Sequence, residues 1–536
     1  MAIERWKPTE SSTRQERFVL GRLKRNGKLY AFLRLHRHQL FDNGFQAELE
    51  AMYRDTGAGK DPTPPAFMAM VLLLQAYAGA SDATAVELAL VDLRWQMVLG
   101  CLGATDPVFS QGSLVEFRNR LIAADLDRRL LERTVELARE TNAFDPKKLP
   151  KTLRVAIDSS PLEGAGRVED TINLLAHAGR KIVACAATLL DWSEERVCRE
   201  AGIPLLLEAS VKKALDLTWS DAEEKASAIP ILVEQLVRLD LWITTRLAAE
   251  MKEPPLKEHV ETLHQLIHQD IEPDPSGKGG PRIIEGVAPD RRVSVEDKEM
   301  RHGRKSKSKR FNGYKRHIAP DLDTALVLAC AITAANRPEE EAAPDIAADL
   351  AHGGREIDDL FIDRGYINAH LVDEVLQRQG NVICRPWHAK NGKLFCKTDF
   401  DINMRDRTIT CPAGETERFT TGTTVEFDSE SCDRCPIRAR CTDTSPGNGR
   451  TVAIAENEVL QHRLRKLANS SAGRALLRQR VPVEHSLAHV SRRQGRRARY
   501  LGTRKNLLDL RRASAITNLE TIHRHEAVAF AVANAA

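Results

Sequence analysis

Two short apolar segments of this chain each end on an aspartate, and this feature limits the possible folds most. "LRVAID" ends at Asp158 and "DDLFID" ends at Asp363. A serine- or glycine-containing turn follows each aspartate, which is typical of a buried strand that delivers a carboxylate to its end. If the two strands are neighbours in one sheet, both carboxylates reach the same edge. We therefore predict an α/β fold with an acidic site at the sheet edge.

The proposed pairing of carboxylates also predicts a metal. An unpaired buried carboxylate is costly, and two carboxylates held together do not both stay ionised without a cation. Mg²⁺ suits such a site because it binds oxygen ligands and accepts phosphate oxygens as well. Two such ions held by three acids would support in-line phosphoryl displacement.

The best candidate for the third acid is Glu484 in "RVPVEHSLAHV". Pro482 suits the first turn of a helix. Val483, Leu487 and Val490 recur at helical spacing, which predicts an apolar stripe that lies on the sheet. Glu484 borders this stripe and would point along the sheet edge. The competing acids for these roles are Glu163, Asp297 and Glu520.

The 536 residues fall into blocks of helix and strand. Helical periodicity covers 14–53 and 66–142, where a helix-turn-helix-like unit and a plain helical bundle fit equally well. Strands begin at 153–158 and return in segments such as 291–297. We predict an α-helical N-terminal domain over residues 1–145, for DNA binding or dimerisation. A mixed α/β domain over 150–530 would follow, with a helical insert at about 168–285 and a Cys-bearing β insert at about 390–455.

Other patterns limit the class of protein further. The segment "DTGAGKDPTPP" at 55–65 lacks the full spacing of a phosphate-binding loop, so we interpret it as an ordinary loop. The apolar runs fall short of the roughly 18 residues of a membrane span. The start of the chain has no apolar leader. We therefore expect a cytosolic protein.

Positive charge is concentrated in two segments, although the formal net charge is only +4. Residues 301–317 contain eight Lys or Arg and no acid, and residues 490–512 contain nine against one Asp. Clustered cations with interleaved apolar residues favour a polyanion partner over a solvated charge run. The candidate DNA-binding residues are Arg304, Lys305, Lys307, Lys309, Arg310, Lys315, Arg480, Arg492, Arg496, Arg497, Arg504 and Lys505.

Four of the ten cysteines cluster in the polar region: Cys411, Cys432, Cys435 and Cys441. A C-x-x-C pair with two further cysteines in a loop-rich segment fits a structural Zn²⁺ site. The spacing is not that of a standard zinc finger. Reduced thiols that pack a small β insert are the alternative.

Four segments, in order along the chain, resemble the DDE transposases of bacterial insertion sequences. "AIDSSPLEG" resembles the strand with the first aspartate of that family, and "FIDRGY" resembles its second aspartate with the following basic residue, Gly and Tyr. Between these two segments, "RHGRKSKSKRFNGYKRHIAPD" resembles the basic second-strand segment of the family. "RVPVEHSLAHVSRRQGRRARYLGTRKNLLDLRRASAITNLETI" resembles its glutamate helix and basic carboxy-terminal stretch. Residues 15–135 resemble the N-terminal domain of one branch.

The resemblance implies an RNase H-like core in which Asp158, Asp363 and Glu484 hold two Mg²⁺ ions, for which Mn²⁺ can substitute. The chain would bind double-stranded DNA, both the terminal inverted repeats of its element and the target. It would hydrolyse a phosphodiester and transfer the strand, as a homodimer or larger assembly near the bacterial nucleoid, without a membrane partner. The alternatives are an RNase H-like nuclease that only hydrolyses and a transposase-derived DNA-binding protein without catalysis.

The chain departs from the family pattern around the glutamate, which is often Tyr-x2-Arg-x3-Glu-x6-Lys. Arg480 keeps the spacing from Arg to Glu484. Leu477 stands at the Tyr position and Ser491 at the Lys position, with Arg492 one residue further on. These differences make Glu484 the least secure member of the triad.

Overall fold

The computed structural model describes residues 4–24, 27–53, 61–141, 143–144, 152–275, 277, 279–286, 288–354 and 356–533, without the side chains of 222, 225 and 527–533. Most of the loop at 55–65 and of the linker before the first strand lies outside the described residues.

The amino-terminal region is helical, as its periodicity predicts. Its central helix follows two prolines and is apolar around its whole circumference, so it is buried in the middle of the other helices. This arrangement is a bundle. The helices are α1 (Arg14–Leu20), α2 (Lys28–Leu40), α3 (Asn43–Glu50), α4 (Pro65–Ala78), α5 (Asp82–Val91), α6 (Leu93–Leu99), α7 (Gln111–Ala123) and α8 (Leu126–Glu140).

The strands of the central region form two connected sheets and a separate two-stranded sheet. They are β1 (Leu153–Ala156), β2 (Asp158–Glu163), β3 (Ile271–Glu272), β4 (Arg282–Ile283), β5 (Arg301–Arg304), β6 (Arg310–Pro320), β7 (Val327–Ala334), β8 (Ile357–Phe361) and β9 (Asn381–Ile383). The predicted strand at 291–297 is wrong: Arg292 makes an isolated bridge to Arg301 instead.

The strand order places β1 and β2 in the middle. β1 pairs with β8 in parallel, and β8 pairs with β9 in parallel. Only Ile157 separates β1 from β2. β2 pairs antiparallel with β6. The other edge of β6 pairs with β7. The resulting order is β7, β6, β2 and β1, β8, β9. The two Asp-terminated strands are therefore neighbours, which is the condition for a shared acidic edge.

The remaining helices form the helical insert, pack on the sheet or belong to the Cys-bearing region. The insert contains α9 (Thr171–Leu190), α10 (Glu194–Ala201), α11 (Val211–Ala214), α12 (Ala222–Arg246) and α13 (Leu256–Asp270). The later helices are α14 (Ala343–His352), α15 (His370–Gln377), α16 (Ser429–Asp433), α17 (Arg438–Cys441), α18 (Glu458–Asn469), α19 (Ser471–Arg478), α20 (Val481–Gln494) and α21 (Thr503–Ala533).

Apolar packing divides the chain differently from the helix and strand blocks. The amino-terminal bundle shares one continuous core with the face of β6 and β7 and with α20 and α21. The helical insert has its own core, built mainly from α9, α12 and α13. α14 and α15 cover the opposite face of the sheet. Within the described residues, no single helix has the length and apolar character to cross a membrane.

The Cys-bearing region forms a small unit of three-residue strands. These are β10 (Asp401–Asn403), β11 (Thr408–Thr410), β12 (Thr416–Arg418), β13 (Thr424–Glu426) and β14 (Thr451–Ala453). Eight buried apolar side chains form its core: Phe400, Ile402, Ile409, Phe419, Val425, Phe427, Val452 and Ile454.

Candidate active site

The register of β1 and β8 brings the two predicted aspartates together. Ala156 pairs with Phe361, so Asp158 and Asp363 each lie two residues beyond paired positions on parallel strands. The amide of Ile157 donates to the carbonyl of Phe361 at 2.8 Å, which extends this register up to the site. Both aspartates line one cleft of about 520 Å³ at that edge of the sheet.

Glu484 lines the same cleft because of how α20 packs. Val483, in its first turn, is buried against Ala156, Phe361 and Ile383, where β1, β8 and β9 end. Leu487 and Val490 are also buried, so the predicted apolar stripe is confirmed. Glu484 follows Val483 and is exposed at the cleft.

Arg480 provides a positive charge inside the cleft. Its Nη2 donates to Oδ1 of Asp158 at 2.8 Å, and the Asp158 side chain is 17% exposed. Burial raises the pKa of Asp158, and the charges of Asp363 and Glu484 act in the same direction, against Arg480 and the Ser159 amide. Asp158 is therefore close enough to Asp363 and Glu484 to be repelled by both.

Asp363 is the more exposed aspartate. Its Oδ1 accepts from the amide of Arg364 at 2.7 Å, and the guanidinium of Arg364 lies 3.0 Å from Nε2 of His388. Gly365 has a close neighbour: a Cβ atom there would lie 2.2 Å from Oε2 of Glu339. Close approach, rather than a positive φ, explains the glycine.

Glu339 is a fourth acid in the cleft that the sequence interpretation missed. It begins a short 3-10 turn after β7, and its Oε1 accepts from Oγ of Ser159 at 2.5 Å. Glu339 is the first of three consecutive glutamates. The sequence holds no signal that separates it from Glu340 and Glu341.

The three competing acids have other neighbours. Asp297 is buried and accepts from the hydroxyl of Tyr314 at 2.5 Å. Glu520 forms an ion pair with Arg493. Glu163 lies 3.6 Å from Arg496.

The first basic segment extends from the cleft. Arg304, Lys305 and Lys315 line it, and Nζ of Lys315 also donates to the carbonyl of Arg337 at 2.7 Å. Lys305, Lys307 and Lys309 are exposed in the turn of the hairpin between β5 and β6, with Arg310 beside them.

The second basic segment is largely engaged by the protein itself. Arg504 pairs with Asp125 and Asp127, and Arg497 donates to the carbonyls of Gly164 and Ala165. These contacts hold the carboxy-terminal helices in place. Arg492, Arg496 and Lys505 are exposed.

The four clustered cysteines line one cavity of about 360 Å³. The amide of Arg450 donates to Sγ of Cys432 at 3.4 Å. Burial raises the pKa of the Cys441 thiol, and the other three thiols add to this while Arg450 opposes it. In the described part of the chain, no three His, Cys, Asp or Glu side chains are already gathered around one point as metal ligands.

The structure thus combines a mixed sheet, an acidic cleft at its edge and an adjoining cationic hairpin. Comparison with known families gives two matches. Residues 287–519 match the transposase DDE domain, and residues 22–120 match the transposase domain DUF772. No curated protein and no solved structure matches the chain.

The two family matches together span more than half of the chain, and the first contains Asp363 and Glu484. Both matched models are transposase domains, and together they indicate an insertion-sequence DDE transposase. Proteins of this family act on DNA and generally use a divalent metal ion.

Proposed function

We propose that this transposase binds the ends of its own element, hydrolyses a phosphodiester with water, and uses the freed 3′-hydroxyl to attack target DNA. One observation carries the proposal. Asp158, Asp363 and Glu484 come from distant parts of the chain and line one cleft that Arg304 and Lys305 also line. Acids alone would repel DNA, so this pairing of acids with cations favours a metal-dependent site for a phosphate backbone.

The strand order supports an RNase H-like core. β2 is antiparallel to β6 and β1 is parallel to β8, so the sheet is mixed, as the resemblance to the family implies. In this proposal the helical insert and the Cys-bearing unit are additions to that core, and the amino-terminal bundle reads the terminal repeats.

The cleft residues fit divalent metal ions. Asp158, Asp363 and Glu484 offer hard carboxylate oxygens, the donor type that Mg²⁺ and Mn²⁺ prefer. These three residues would hold two ions, which when bound would activate the attacking oxygen and stabilise the leaving oxygen. Arg480 orients Asp158, and Arg304 and Lys305 hold the DNA backbone beside the acids.

The exposed hairpin carries the proposed non-specific DNA contact. Lys305, Lys307 and Lys309 project from its turn without an acid in the segment, so phosphate is their natural partner. Arg492 and Arg496 extend this surface along α20 and the loop after it. Arg497 and Arg504 are left out of it because they bind protein groups. Cutting two ends together would require at least a dimer.

The proposed second metal is a structural zinc in the Cys-bearing unit. Thiolates are ligands for Zn²⁺, and a unit with such a small hydrophobic core commonly needs a metal ion or a disulfide bond for stability. Cys411, Cys432, Cys435 and Cys441, which line one cavity, would hold this ion. The zinc content of the purified full chain tests this. The Cys435→Ser variant should contain about one equivalent of zinc less than wild type. The Sγ of Cys396 lies beside Thr398 instead, so the Cys396→Ser variant should keep its zinc. Zinc-free wild-type protein would contradict it.

Cleavage and joining of a labelled duplex with the element's end, in Mg²⁺ or EDTA, test the function. Wild type should cut and join only with Mg²⁺, and Asp363→Ala should bind DNA but do neither. Asp358→Ala, on an exposed position of the same strand, should behave as wild type. Hydrolysis without joined product would favour the simple nuclease. Binding without cleavage by the wild type would favour the DNA-binding protein.

A further inference from the structure

Glu339 touches the neighbours of both catalytic aspartates. Its Oε1 accepts a hydrogen bond from Ser159, the residue after Asp158, at 2.5 Å. Its other oxygen, Oε2, lies against Gly365, two residues after Asp363, where a Cβ would come within 2.2 Å. One carboxylate thus lies between the two turns that present the aspartates.

The surroundings of Glu339 keep it in place. The 3-10 turn that contains it packs against the turn Arg364–Tyr366. Lys315 of β6 lies within electrostatic reach of Glu339 and of Glu341, and its Nζ is held by the carbonyl of Arg337 at 2.7 Å. The buried Tyr366, which follows Gly365, is fixed by its hydroxyl at 2.6 Å from Nδ1 of His317.

Glycine at 365 is part of the same arrangement. Its backbone does not adopt a positive φ, and the three nearest atoms that a Cβ would meet all belong to Glu339. A Cβ at this position would lie 2.2 Å from Oε2 of Glu339 and would therefore displace the Glu339 carboxylate. The close approach therefore links the identity of residue 365 to the position of Glu339.

We propose that Glu339 is a positioning residue that sets the separation of Asp158 and Asp363, acting through Ser159 and Gly365. This inference rests on the proposed function, because it assigns those aspartates to the metal-binding cleft. A carboxylate that fixes the spacing of the ligands controls how well a divalent ion is held. Glu339 also adds a negative charge beside the acids.

Two variants isolate the contact. Glu339→Ala removes the carboxylate, and Ser159→Ala removes its donor. Each should raise the half-saturating Mn²⁺ or Mg²⁺ concentration for cleavage about tenfold and lower the single-turnover rate by about 10- to 100-fold. The affinity for the DNA end without metal should not fall in either variant. The double variant should be no worse than Glu339→Ala, because both changes break one interaction.

Glu341→Gln is the matched control. Glu341 lies in the same turn, its side chain is 46% exposed and it faces Arg337. It should cleave with wild-type rate and wild-type metal dependence. Glu339→Gln, which keeps an acceptor for Ser159, should recover most of the rate lost in Glu339→Ala. A general folding defect would not give this partial rescue.

Metal binding without catalysis separates this inference from the proposed function. The Mn²⁺-induced rise in thermal midpoint is measured for the full-length wild type, Glu339→Ala and Glu341→Gln. If wild type never cleaves but Glu339→Ala alone has a smaller rise, the proposed function fails and the positioning role stands. If Glu339→Ala matches wild type in metal dependence, rate and Mn²⁺-induced rise, the positioning role is overturned.

Discussion

Arg480 and Asp158 are hydrogen-bonded across 322 residues of sequence, with Nη2 of the arginine donating to Oδ1 of the aspartate at 2.8 Å. The pair joins the loop before α20 to the junction of β1 and β2. It also places one cation beside Asp158, which the charges of Asp363 and Glu484 repel. The arginine therefore balances part of the charge that a metal ion would balance in the working site.

Arg480→Gln should make the fold more dependent on divalent cations. The ion pair is partly buried, with side chains 21% and 17% exposed, so its loss should cost about 2 kcal/mol in metal-free buffer, between surface and buried pairs. The rise in thermal midpoint on adding Mg²⁺ should be larger than in wild type. Arg478→Gln, an exposed change in the preceding helix, is the control. Equal midpoints for Arg480→Gln and wild type in EDTA would contradict the expectation.

The hairpin lysines should set the salt dependence of DNA binding. Replacing Lys305, Lys307 and Lys309 with Gln removes three exposed cations. Each lost phosphate contact should reduce the slope of log Kd against log salt by about 0.9, so the triple variant should lose up to about 3. Fluorescence anisotropy with a labelled duplex at several salt concentrations measures this slope. The same triple change at the exposed Lys213, Lys252 and Lys257 of the helical insert should leave the slope unchanged. An unchanged slope in the hairpin variant would show that the DNA binds elsewhere.

The sequence predicts those parts of the site that local pattern determines. Adjacent parallel strands at equal offset bring Asp158 and Asp363 to one edge, and the stripe of α20 brings Glu484 there. The position of each acid depends on a regular spacing of apolar residues that is visible in the sequence. The common cleft of the three acids follows from the strand pattern, the helical spacing of apolar residues in α20 and the pairing of β1 with β8.

Other features depend on contacts between distant segments and were not predictable. Glu339 is one of three adjacent glutamates, and only the fold selects it. Arg511, in a segment that resembles a DNA-binding stretch, is buried between Asp127 and Asp349. Charge density in sequence does not distinguish a cation that holds two helices together from one that faces DNA.

His317 should make the fold acid-sensitive. It is fully buried, with Nδ1 2.6 Å from the Tyr366 hydroxyl and Nε2 2.9 Å from that of Thr333. Burial, aided by the charge of Lys315, lowers its pKa from 6.5 to about 3. Below pH 6.5 the unfolded chain binds a proton that the folded chain does not, so stability falls with falling pH across this window.

The loss from His317 alone should be about 1.4 kcal/mol for each pH unit below 6.5. Urea unfolding at pH 7.0 and 5.5 measures it as the difference between wild type and His317→Gln, whose stability should change less between the two pH values. His485→Gln, at an exposed position of α20, should keep the wild-type difference. A His317→Gln variant with the full wild-type pH dependence would show that this histidine does not contribute.

Glu458 should hold the Cys-bearing unit against the rest of the protein. It is buried at the start of α18 and forms ion pairs with Lys397 of that unit and Arg465 of its own helix. Burial alone would raise the pKa of Glu458, but hydrogen bonds from the two cations outweigh it and lower the pKa below its usual 4.5. The stabilisation is present above that value and is lost as the pH falls further. Glu458→Gln should therefore cost about 3 kcal/mol at pH 7, the cost of breaking a buried pair, and should speed proteolysis between the unit and α18. The exposed Glu456→Gln should do neither, and equal urea midpoints for Glu458→Gln and wild type would show that the two ion pairs do not hold the unit.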